Sequence, residues 1–388
     1  MTEDFLERWL PVPSQSFFLF GPRGTGKSTL LQIRYPQALR LDFLNPAIER
    51  TYSSRPERLY DLLKTADKRQ PIVIDEVQKV PSILTIVHDK IVSNSQWQFI
   101  LTGSNARKLK RNDADLLAGR ALKSVLHPFM ASELKSQFDF LQALQYGMLP
   151  LLLTSTDPMA TLQTYVGLYL KEEIQMEGLV RSLDNFSRFL EVISFSHCAQ
   201  LNVTNIAREC EVKRKTVENY IGILEDLLLA YQLPVFTRKA KRELVHHPKF
   251  YLFDTGVFRA LRPTGPLDRS SEIEGAALEG LVAQHLCAWR DYTTSRHQLY
   301  YWRTRSGVEV DFVIYGPLGL WALEVKNTAR INSSDLRSLR SFLEDYPAAT
   351  AIILYRGTET LQQNNILIIP CERFLRELKP NDALTDIK

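Results

Sequence analysis

Short apolar runs bounded by turn residues recur through the first third of the chain. Four such runs are residues 17–20, 39–43, 71–76 and 98–102. Each has the length of a buried strand, and the stretch from Asn45 to Lys68 is helical with a break at Pro56. Strands that alternate with helices predict an α/β domain with a parallel sheet, which we place at residues 1–128.

The pattern changes after residue 128. Residues 129–190 are helical with breaks near Gly147 and Asp157, and we interpret them as a helical lid and linker. Residues 191–248 contain two short helices, at 203–210 and 212–221, whose apolar positions predict a helix-turn-helix of the winged type.

The last segment, residues 249–388, predicts a further α/β domain. It opens with a strand at 250–253 and continues with an amphipathic helix from Glu274 to Trp289. Three strands follow, at residues 299–303, 308–314 and 320–326.

The first strand leads into a glycine-rich sequence with the complete pattern G-x-x-x-x-G-K-[ST]. A strand, a glycine-rich turn and a helix start together form a phosphate-binding loop, because the backbone N–H groups and the helix dipole attract one anion. Lys27 would reach the β- and γ-phosphates of ATP, and Ser28 would bind Mg²⁺. The predicted nucleotide-contacting residues are Gly21, Arg23, Gly24, Thr25, Gly26, Lys27, Ser28, Thr29 and Asp75.

The third strand ends in two carboxylates, Asp75 and Glu76. Asp75 is predicted to hold Mg²⁺ through water, and Glu76 to orient and deprotonate the attacking water. Such a pair beside a triphosphate is tolerable only with a metal present. Alternatively, the two residues end the strand as a solvated turn.

Two further polar positions are candidates for the catalytic set. Ser104 follows the fourth strand and is our candidate sensor of the γ-phosphate, with Asn105 as the alternative. Arg120 precedes another strand, at 122–126, and is the candidate arginine finger for a neighbouring subunit. It could equally pair with Asp113 or Asp115, and Arg107 and Arg23 are weaker candidates for this role.

Two basic runs predict a DNA-contacting face. Lys213, Arg214 and Lys215 cluster at a helix start, where the macrodipole disfavours cations, so DNA phosphates are a plausible compensation. The second run, where a basic wing would lie, contains Arg238, Lys239, Lys241 and Arg242. Such runs can also be solvated surface or part of a protein-binding module, and neither run indicates base-specific readout.

The last three strands carry charges in an apolar context. Asp311 lies on one hairpin strand, with Glu309 on the same face, and Glu324 and Lys326 share a face of the next strand. This arrangement resembles the core of PD-(D/E)XK nucleases. The resemblance implies that Asp311 and Glu324 bind Mg²⁺, that Lys326 polarises water or steadies the phosphate, and that Glu279 completes the site. Val310 stands where many members have proline.

Composition narrows the setting. The chain has 388 residues, so several domains are expected, and its net charge of +4 means that any nucleic-acid surface must be local. Its four cysteines show no C-x-x-C spacing, which argues against a zinc site or a disulfide framework. We find neither a signal peptide nor an apolar run long enough to span a membrane, and we expect a cytoplasmic protein.

Together these motifs resemble a widespread prokaryotic family of AAA-type ATPases (AAA_14) with a C-terminal domain of unknown function, DUF4143. The sequences that carry the resemblance are the P-loop at 21–28, Val-Ile-Asp-Glu-Val-Gln-Lys-Val-Pro at 73–81, Leu-Thr-Gly-Ser at 101–104 and Leu-Ala-Gly-Arg at 117–120.

The resemblance and the basic runs imply an ATP- and Mg²⁺-dependent protein that processes DNA, single-stranded or branched. We expect no membrane partner and a homo-oligomer, a hexamer or another ring. A second Mg²⁺ would belong to the nuclease-like site. The alternatives are an ATP-gated DNA nuclease and an ATP-dependent switch for protein partners with an inactive nuclease-like domain.

Overall fold

The computed structural model describes residues 6–93, 96–103, 117, 119–169, 174, 180, 182–238, 244–245 and 247–387. The chain divides into two compact units. The small unit contains residues 10–127 and 226–228, and the large unit combines the chain up to Trp9 with residues 128–225 and 229–388. The finer boundaries at 128, 190 and 248 stay predictions.

The small unit is built on a five-stranded sheet in which every strand pair is parallel. Its strands are β1 (Phe17–Phe20), β2 (Leu39–Asp42), β3 (Ile72–Asp75), β4 (Phe99–Gly103) and β5 (Leu122–Val125). Its helices are α1 (Lys27–Arg34), α2 (Pro46–Ser54), α3 (Arg58–Thr65) and α4 (Ile83–Ser93), with a 3-10 turn at Val77–Lys79. The order is β2-β3-β4-β1-β5, so β4 lies between β1 and β3.

Apolar strand sequences explain this sheet. All four residues of β1 are buried, as are all five of β4, which fits strands covered on both faces. The predicted α/β class with a parallel sheet is therefore confirmed for this unit.

The large unit begins with helices. They are α5 (Ala131–Leu134), α6 (Phe140–Tyr146), α7 (Pro150–Leu153), α8 (Pro158–Thr164), α9 (Leu183–Ser194), α10 (Val203–Glu209) and α11 (Arg214–Asp226), with a 3-10 turn at Lys135–Gln137 and a π-helix at Tyr165–Tyr169. The predicted helix pair corresponds to α10 and α11.

A three-stranded antiparallel sheet follows the helix pair. It contains β6 (Ala199–Gln200), β7 (Ala230–Leu233) and β8 (Lys249–Leu252) in the order β6-β8-β7. The sequence predicts this strand as the start of the C-terminal segment, but β8 pairs with β6 and β7. Its pairing partners lie upstream in the chain, and an apolar strand alone does not reveal them.

The remainder of the large unit is a six-stranded mixed sheet with flanking helices. Its strands are β9 (Gln298–Arg303), β10 (Glu309–Gly316), β11 (Gly319–Lys326), β12 (Thr350–Tyr355), β13 (Leu361–Gln363) and β14 (Ile366–Pro370), in the order β13-β14-β12-β11-β10-β9. The helices are α12 (Thr255–Leu261), α13 (Ser270–Tyr292), α14 (Arg337–Asp345) and α15 (Cys371–Glu377), with a 3-10 turn at Ser333–Leu336. The predicted hairpin corresponds to β10 and β11, which pair antiparallel.

Helix α13 differs from its predicted form. The sequence predicts an amphipathic helix, but every residue from Gly280 to Trp289 is buried. Polar Gln284 and His285 are among them, which shows that the helix is covered on all sides along this stretch. The predicted amphipathicity was therefore wrong for this part of the helix.

The predicted basic wing, residues 236–242, begins at a residue bonded to β9, and the chain beyond it is bonded to β9 as well. Phe236 N donates to Tyr301 O at 2.7 Å, and Val245 N donates to Arg303 O at 3.2 Å. Phe236 is buried in the core of the C-terminal sheet. Lys239, Lys241 and Arg242 lie outside the described residues.

Among the described residues, none of the helices combines the length and the apolar character that a membrane span requires.

Two histidines are buried in neutral form in the large unit. His197 Nδ1 accepts a hydrogen bond from Leu252 N at 3.1 Å, and His285 Nε2 accepts one from Ala131 N at 2.9 Å. Burial lowers the pKa of His197 to about 3, with Lys249 adding to the effect, and burial lowers the pKa of His285 to about 4.

These histidines predict the pH dependence of stability. A histidine whose pKa is lower in the folded than in the unfolded state, where it is about 6.5, stabilises the fold fully above pH 6.5. As the pH falls below 6.5, each such histidine lowers the free energy of unfolding by about 1.4 kcal/mol per pH unit. Carboxyl groups whose pKa burial raises, such as Glu279 to about 7 and Glu324 to about 8, add a slope of opposite sign, so the histidine share is measured as the difference in urea unfolding between the unsubstituted protein and His197→Leu from pH 6.5 to pH 4.5. His197→Leu should remove one histidine's share of the slope, whatever its own stability, and an unchanged slope would contradict this explanation.

A close backbone approach predicts the effect of a single methyl group. A Cβ at Gly256 in α12 would lie 1.9 Å from the carbonyl oxygen of Tyr146, whereas a Cβ at Gly222 in α11 would meet open space. We expect Gly256→Ala to destabilise the protein by about 1–3 kcal/mol or more. The control Gly222→Ala should stabilise it by about 0.5–1 kcal/mol, because alanine favours a helix interior. Denaturant unfolding measures both, and equal effects would contradict the packing described here.

Candidate functional site

The P-loop connects β1 to α1 in the small unit. Gly24 and Gly26 have φ angles of +84° and +87°, which side-chain-bearing residues rarely adopt. Gly26 is the residue that precedes α1, so the loop ends at the N-terminus of that helix. Backbone N–H groups at such a terminus are suited to bind phosphate.

Lys27 is held inside this loop. Its Nζ donates to the carbonyl oxygen of Gly21 at 2.7 Å and to that of Pro22 at 3.3 Å, and the side chain of Thr25 also donates to Pro22 O, at 2.9 Å. Lys27 and Thr25 are buried. The next residues along the helix, Ser28 and Thr29, are exposed, as is Arg23. The loop thus surrounds one ammonium group and leaves hydroxyl groups at its outer side.

The predicted acidic pair lies at the end of β3. Asp75 is the last residue of this strand, and Glu76 adopts a left-handed φ of +54°. Such a conformation costs energy for a residue other than glycine, and it persists only where neighbouring contacts impose it.

Two neighbouring side chains make these contacts. Thr102 Oγ1, which is buried in β4, accepts a hydrogen bond from Glu76 N at 3.1 Å and donates to the carboxylate of Asp75. Gln78 Nε2 donates to the carboxylate of Glu76 at 2.5 Å. The acidic pair is therefore oriented by a hydroxyl from the adjacent strand and by an amide two residues downstream.

Sheet order explains why these groups are neighbours. The carboxyl ends of β3, β4 and β1 lie at one edge because the strands are parallel and adjacent. This edge therefore carries the acidic pair at the end of β3, Thr102 near the end of β4 and the P-loop directly after β1. Arg120 lies in an exposed turn before β5, and Ser104, Asn105 and Arg107 lie outside the described residues.

A second group of charges lies in the large unit, between the two sheets. Lys249, at the start of β8, is 2% exposed, and its Nζ contacts Glu279 of α13 at 2.9 Å, Glu309 of β10 at 2.6 Å and Asp311 of β10 at 3.2 Å. Tyr251 donates to Glu279 at 2.7 Å, and Arg303 donates to Glu309 at 2.6 Å. We call Lys249, Glu279, Glu309 and Asp311 the lysine–carboxylate cluster.

Asp311 connects this cluster to Glu324 and Lys326 on β11. Its second carboxylate oxygen accepts from Val325 N at 2.9 Å, and Lys326 Nζ contacts Glu324 at 2.7 Å. Glu309, Glu324 and Lys326 line an open polar cavity of about 320 Å³. Within the described residues, no three His, Cys, Asp or Glu side chains are placed to hold one metal ion.

Burial shifts the pKa values of these groups. It raises the pKa of Glu279 to about 7, with Asp311 adding and Lys249 opposing, and the pKa of Glu324 to about 8, with Asp311 adding and Lys326 opposing. For Lys249 burial acts downward, but the three carboxylates outweigh it and hold the pKa well above its usual value. Lys249 is therefore charged at neutral pH.

The basic residues predicted at the helix pair are exposed at the start of α11. Lys213, Arg214 and Lys215 all face solvent, although Glu218 contacts Arg214 at 3.0 Å and lies 3.9 Å from Lys215. From the second basic run, Arg238 stacks over the ring of Tyr315 at 4.7 Å. The first run is thus an accessible surface.

Three family models match consecutive parts of the chain. Residues 13–135 match the AAA domain model. Two other models, both described as domains of unknown function, match residues 137–268 (DUF8612) and 274–374 (DUF4143). The resemblance predicted from the motifs is confirmed for the AAA domain and DUF4143, whereas the nuclease-like assignment stays a prediction. The AAA domain supports ATP binding and ATPase activity.

Two uncharacterized proteins are similar along most of the chain. One, from Mycobacterium tuberculosis, is 26% identical over 382 residues, which span 95% of this chain and 83% of the relative. The other, from Methanocaldococcus jannaschii, is 25% identical over 347 residues, which span 79% of this chain and 73% of the relative.

A solved structure, the ORC2 protein of Aeropyrum pernix with ADPNP and ADP, is 13% identical. The match covers 70% of this chain and 89% of that chain at a TM-score of 0.33.

Sequence reasoning missed three residues of these sites: Thr102, Gln78 and Lys249. Thr102 had a signal, since it is the polar residue at the end of an apolar strand. Lys249 also had one, because it is a lysine at the start of a buried strand, and such a charge needs a partner. Gln78 had no comparable signal.

The contacts of Thr102 predict its role in the AAA domain. Thr102→Val keeps the shape but leaves Glu76 N without its acceptor and Asp75 without a donor. We expect the kcat of ATP hydrolysis to fall about tenfold or more, which corresponds to about 1.4 kcal/mol in the barrier. The control Thr102→Ser keeps the hydroxyl and should stay near the unsubstituted rate. An unchanged kcat in Thr102→Val would refute this role.

Proposed function

We propose that the protein is a Mg²⁺-dependent ATPase that acts on DNA. The observation that carries the ATPase part is the arrangement of the P-loop, the acidic pair and Thr102 at the carboxyl ends of three adjacent parallel strands. In this proposal the arrangement would supply a phosphate cradle, a carboxylate for the metal and a base for water, which phosphoryl transfer to water requires.

Individual roles follow from the contacts. The backbone from Gly21 to Gly26 and the ammonium of Lys27 would bind the phosphates of ATP. Ser28 and Asp75 would hold Mg²⁺, which would neutralise charge on the β- and γ-phosphates. Glu76 would orient and deprotonate the attacking water. Thr102 and Gln78 are positioning residues in this scheme, because they touch the carboxylates and not the reacting atoms.

Two residues complete the proposal for hydrolysis. Ser104 would sense the γ-phosphate beyond β4. Arg120 would act as an arginine finger in a neighbouring subunit, and such a role requires a homo-oligomer, a ring in our proposal. The exposure of Arg120 is compatible with this role.

The DNA part of the proposal rests on the start of α11. Three consecutive cations lie exposed where the positive end of the helix dipole disfavours them, and one glutamate, Glu218, is near two of the three. DNA phosphates would neutralise the remaining charge without reading base sequence. A grip of this kind selects the structure of DNA, and we propose single-stranded or branched DNA as the substrate.

The experiment compares the ATP hydrolysis rate of purified protein alone and with single-stranded, duplex and four-way-junction DNA. We expect one DNA form to stimulate hydrolysis, with Lys27→Ala as the inactive blank. Glu76→Gln should bind ATP and fail to hydrolyse it, because it lacks the base. A rate indifferent to every DNA form would refute the DNA proposal and favour a switch that acts on protein partners.

A charge variant tests the DNA surface itself. Replacing Lys213, Arg214 and Lys215 by glutamine should weaken DNA binding and reduce its dependence on salt, because fewer counterions are released. Basal ATP hydrolysis without DNA should not change. A control with the same loss of charge elsewhere, Lys64, Lys68 and Arg69 to glutamine, should leave DNA affinity unaffected. Equal losses in both variants would refute the proposed surface.

A further inference from the structure

The lysine–carboxylate cluster contains a cation that belongs to the chain itself. The ammonium of Lys249 lies within 3.2 Å of carboxylate oxygens from Glu279, Glu309 and Asp311. These carboxylates come from α13 and β10, whereas Lys249 comes from β8 of the small antiparallel sheet. Lys249 of the three-stranded sheet thus lies among acidic residues of strand β10 and helix α13.

The positions of the carboxylates disagree with the metal site that the PD-(D/E)XK resemblance implies. That site would use Glu279, Asp311 and Glu324, and Mg²⁺ requires oxygen ligands at about 2.0–2.1 Å in near-octahedral geometry. Here Asp311 Oδ1 accepts a hydrogen bond from Lys249, and Asp311 Oδ2 accepts one from Val325 N. Glu279 Oε1 accepts hydrogen bonds from both Lys249 and Tyr251. Three of the oxygens that would bind the ion, both of Asp311 and Oε1 of Glu279, already accept hydrogen bonds, so a metal ion would compete with these donors, whereas Oε2 of the buried Glu324 has no partner among the described residues.

Electrostatic repulsion also disfavours the ion. The four carboxylates Glu279, Glu309, Asp311 and Glu324 are contacted by three cations, which are Lys249, Arg303 and Lys326. A divalent ion between Glu279 and Asp311 would lie beside the buried ammonium of Lys249 and be repelled by it. The residues of this site do not fit a magnesium ion while Lys249 is in place.

We propose that Lys249 is the resident cation of this site and takes the place of the divalent metal ion. Its ammonium neutralises the carboxylates of α13 and β10 and ties β8 to both of them. The C-terminal region therefore does not cut DNA by a metal-dependent route. If the proposed function is correct, the region contributes a grip on DNA, but the role of Lys249 does not depend on that proposal.

The test measures Mn²⁺ binding to the full chain without nucleotide, by electron paramagnetic resonance. We expect the single variant Asp311→Asn to bind as much Mn²⁺ as the unsubstituted protein. Any Mn²⁺ bound by the AAA domain contributes equally to both signals and cancels in this comparison. Lys249→Met should gain a Mn²⁺ site that the double variant Lys249→Met/Asp311→Asn lacks. The proposal is overturned if the unsubstituted protein binds Mn²⁺ at a site that Asp311→Asn removes.

Thermal unfolding gives an independent measurement. Lys249→Met should unfold at a lower temperature than the unsubstituted protein, and Mn²⁺ should restore part of that loss. Lys326→Met, a control that removes a cation but keeps Lys249, should gain no Mn²⁺ site. If Lys249→Met does not fold, the comparison of the unsubstituted protein with Asp311→Asn still decides the matter.

The Mn²⁺ experiment and the DNA experiment can each fail without affecting the other. An ATPase rate that ignores DNA would refute the proposed function and leave the Mn²⁺ result untouched. Cleavage of DNA by the Lys27→Ala variant in Mg²⁺ that Asp311→Asn abolishes would overturn the role of Lys249 but not the ATPase proposal.

Discussion

Burying a charged group is costly unless a partner lies within hydrogen-bond distance, and this constraint governs the lysine–carboxylate cluster of the large unit. Lys249 is the clearest case, because its ammonium is buried and contacts three carboxylates. Removal of one partner from a buried ion pair typically costs about 3–5 kcal/mol, since the remaining charge is left without compensation. The pairing of β8, α13 and β10 in the large unit thus depends on charges that must stay together.

The acidic pair of the small unit is half-buried and is held by neutral partners. Glu76 has a strained backbone, and Thr102 and Gln78 contact it and Asp75. These contacts fix where the two carboxylates point before any ligand is bound. Preorganised groups of this kind cost no reorganisation at the moment of reaction, which is how a hydrolytic site gains rate.

The two sites therefore use acidic residues for different ends. In the small unit the carboxylates of Asp75 and Glu76 are contacted by neutral groups, which do not neutralise their charge. In the lysine–carboxylate cluster an internal ammonium cancels that charge. A motif that is acidic in the sequence can thus lead to a metal site or to an ion-pair cluster, depending on which residue packs against it.

The sequence by itself determined the parallel sheet of the small unit and its match to an AAA domain. Local order was sufficient there, because the P-loop follows its own strand directly and Asp75 and Glu76 end another, so each motif carries its context in a few residues. The charged pair Glu324 and Lys326 was likewise predictable from strand alternation.

Tertiary structure decided what the chain brings together over long separations. Lys249 and Glu309 are 60 residues apart, and only the pairing of β8 with β6 and β7 places this lysine against β10. The stretch of helix α13 from Gly280 to Trp289 is buried on all sides because elements from distant parts of the chain cover it, which its own apolar pattern does not encode. Thr102 contacts Glu76 because β4 lies between β1 and β3, and strand order is a property of the whole sheet.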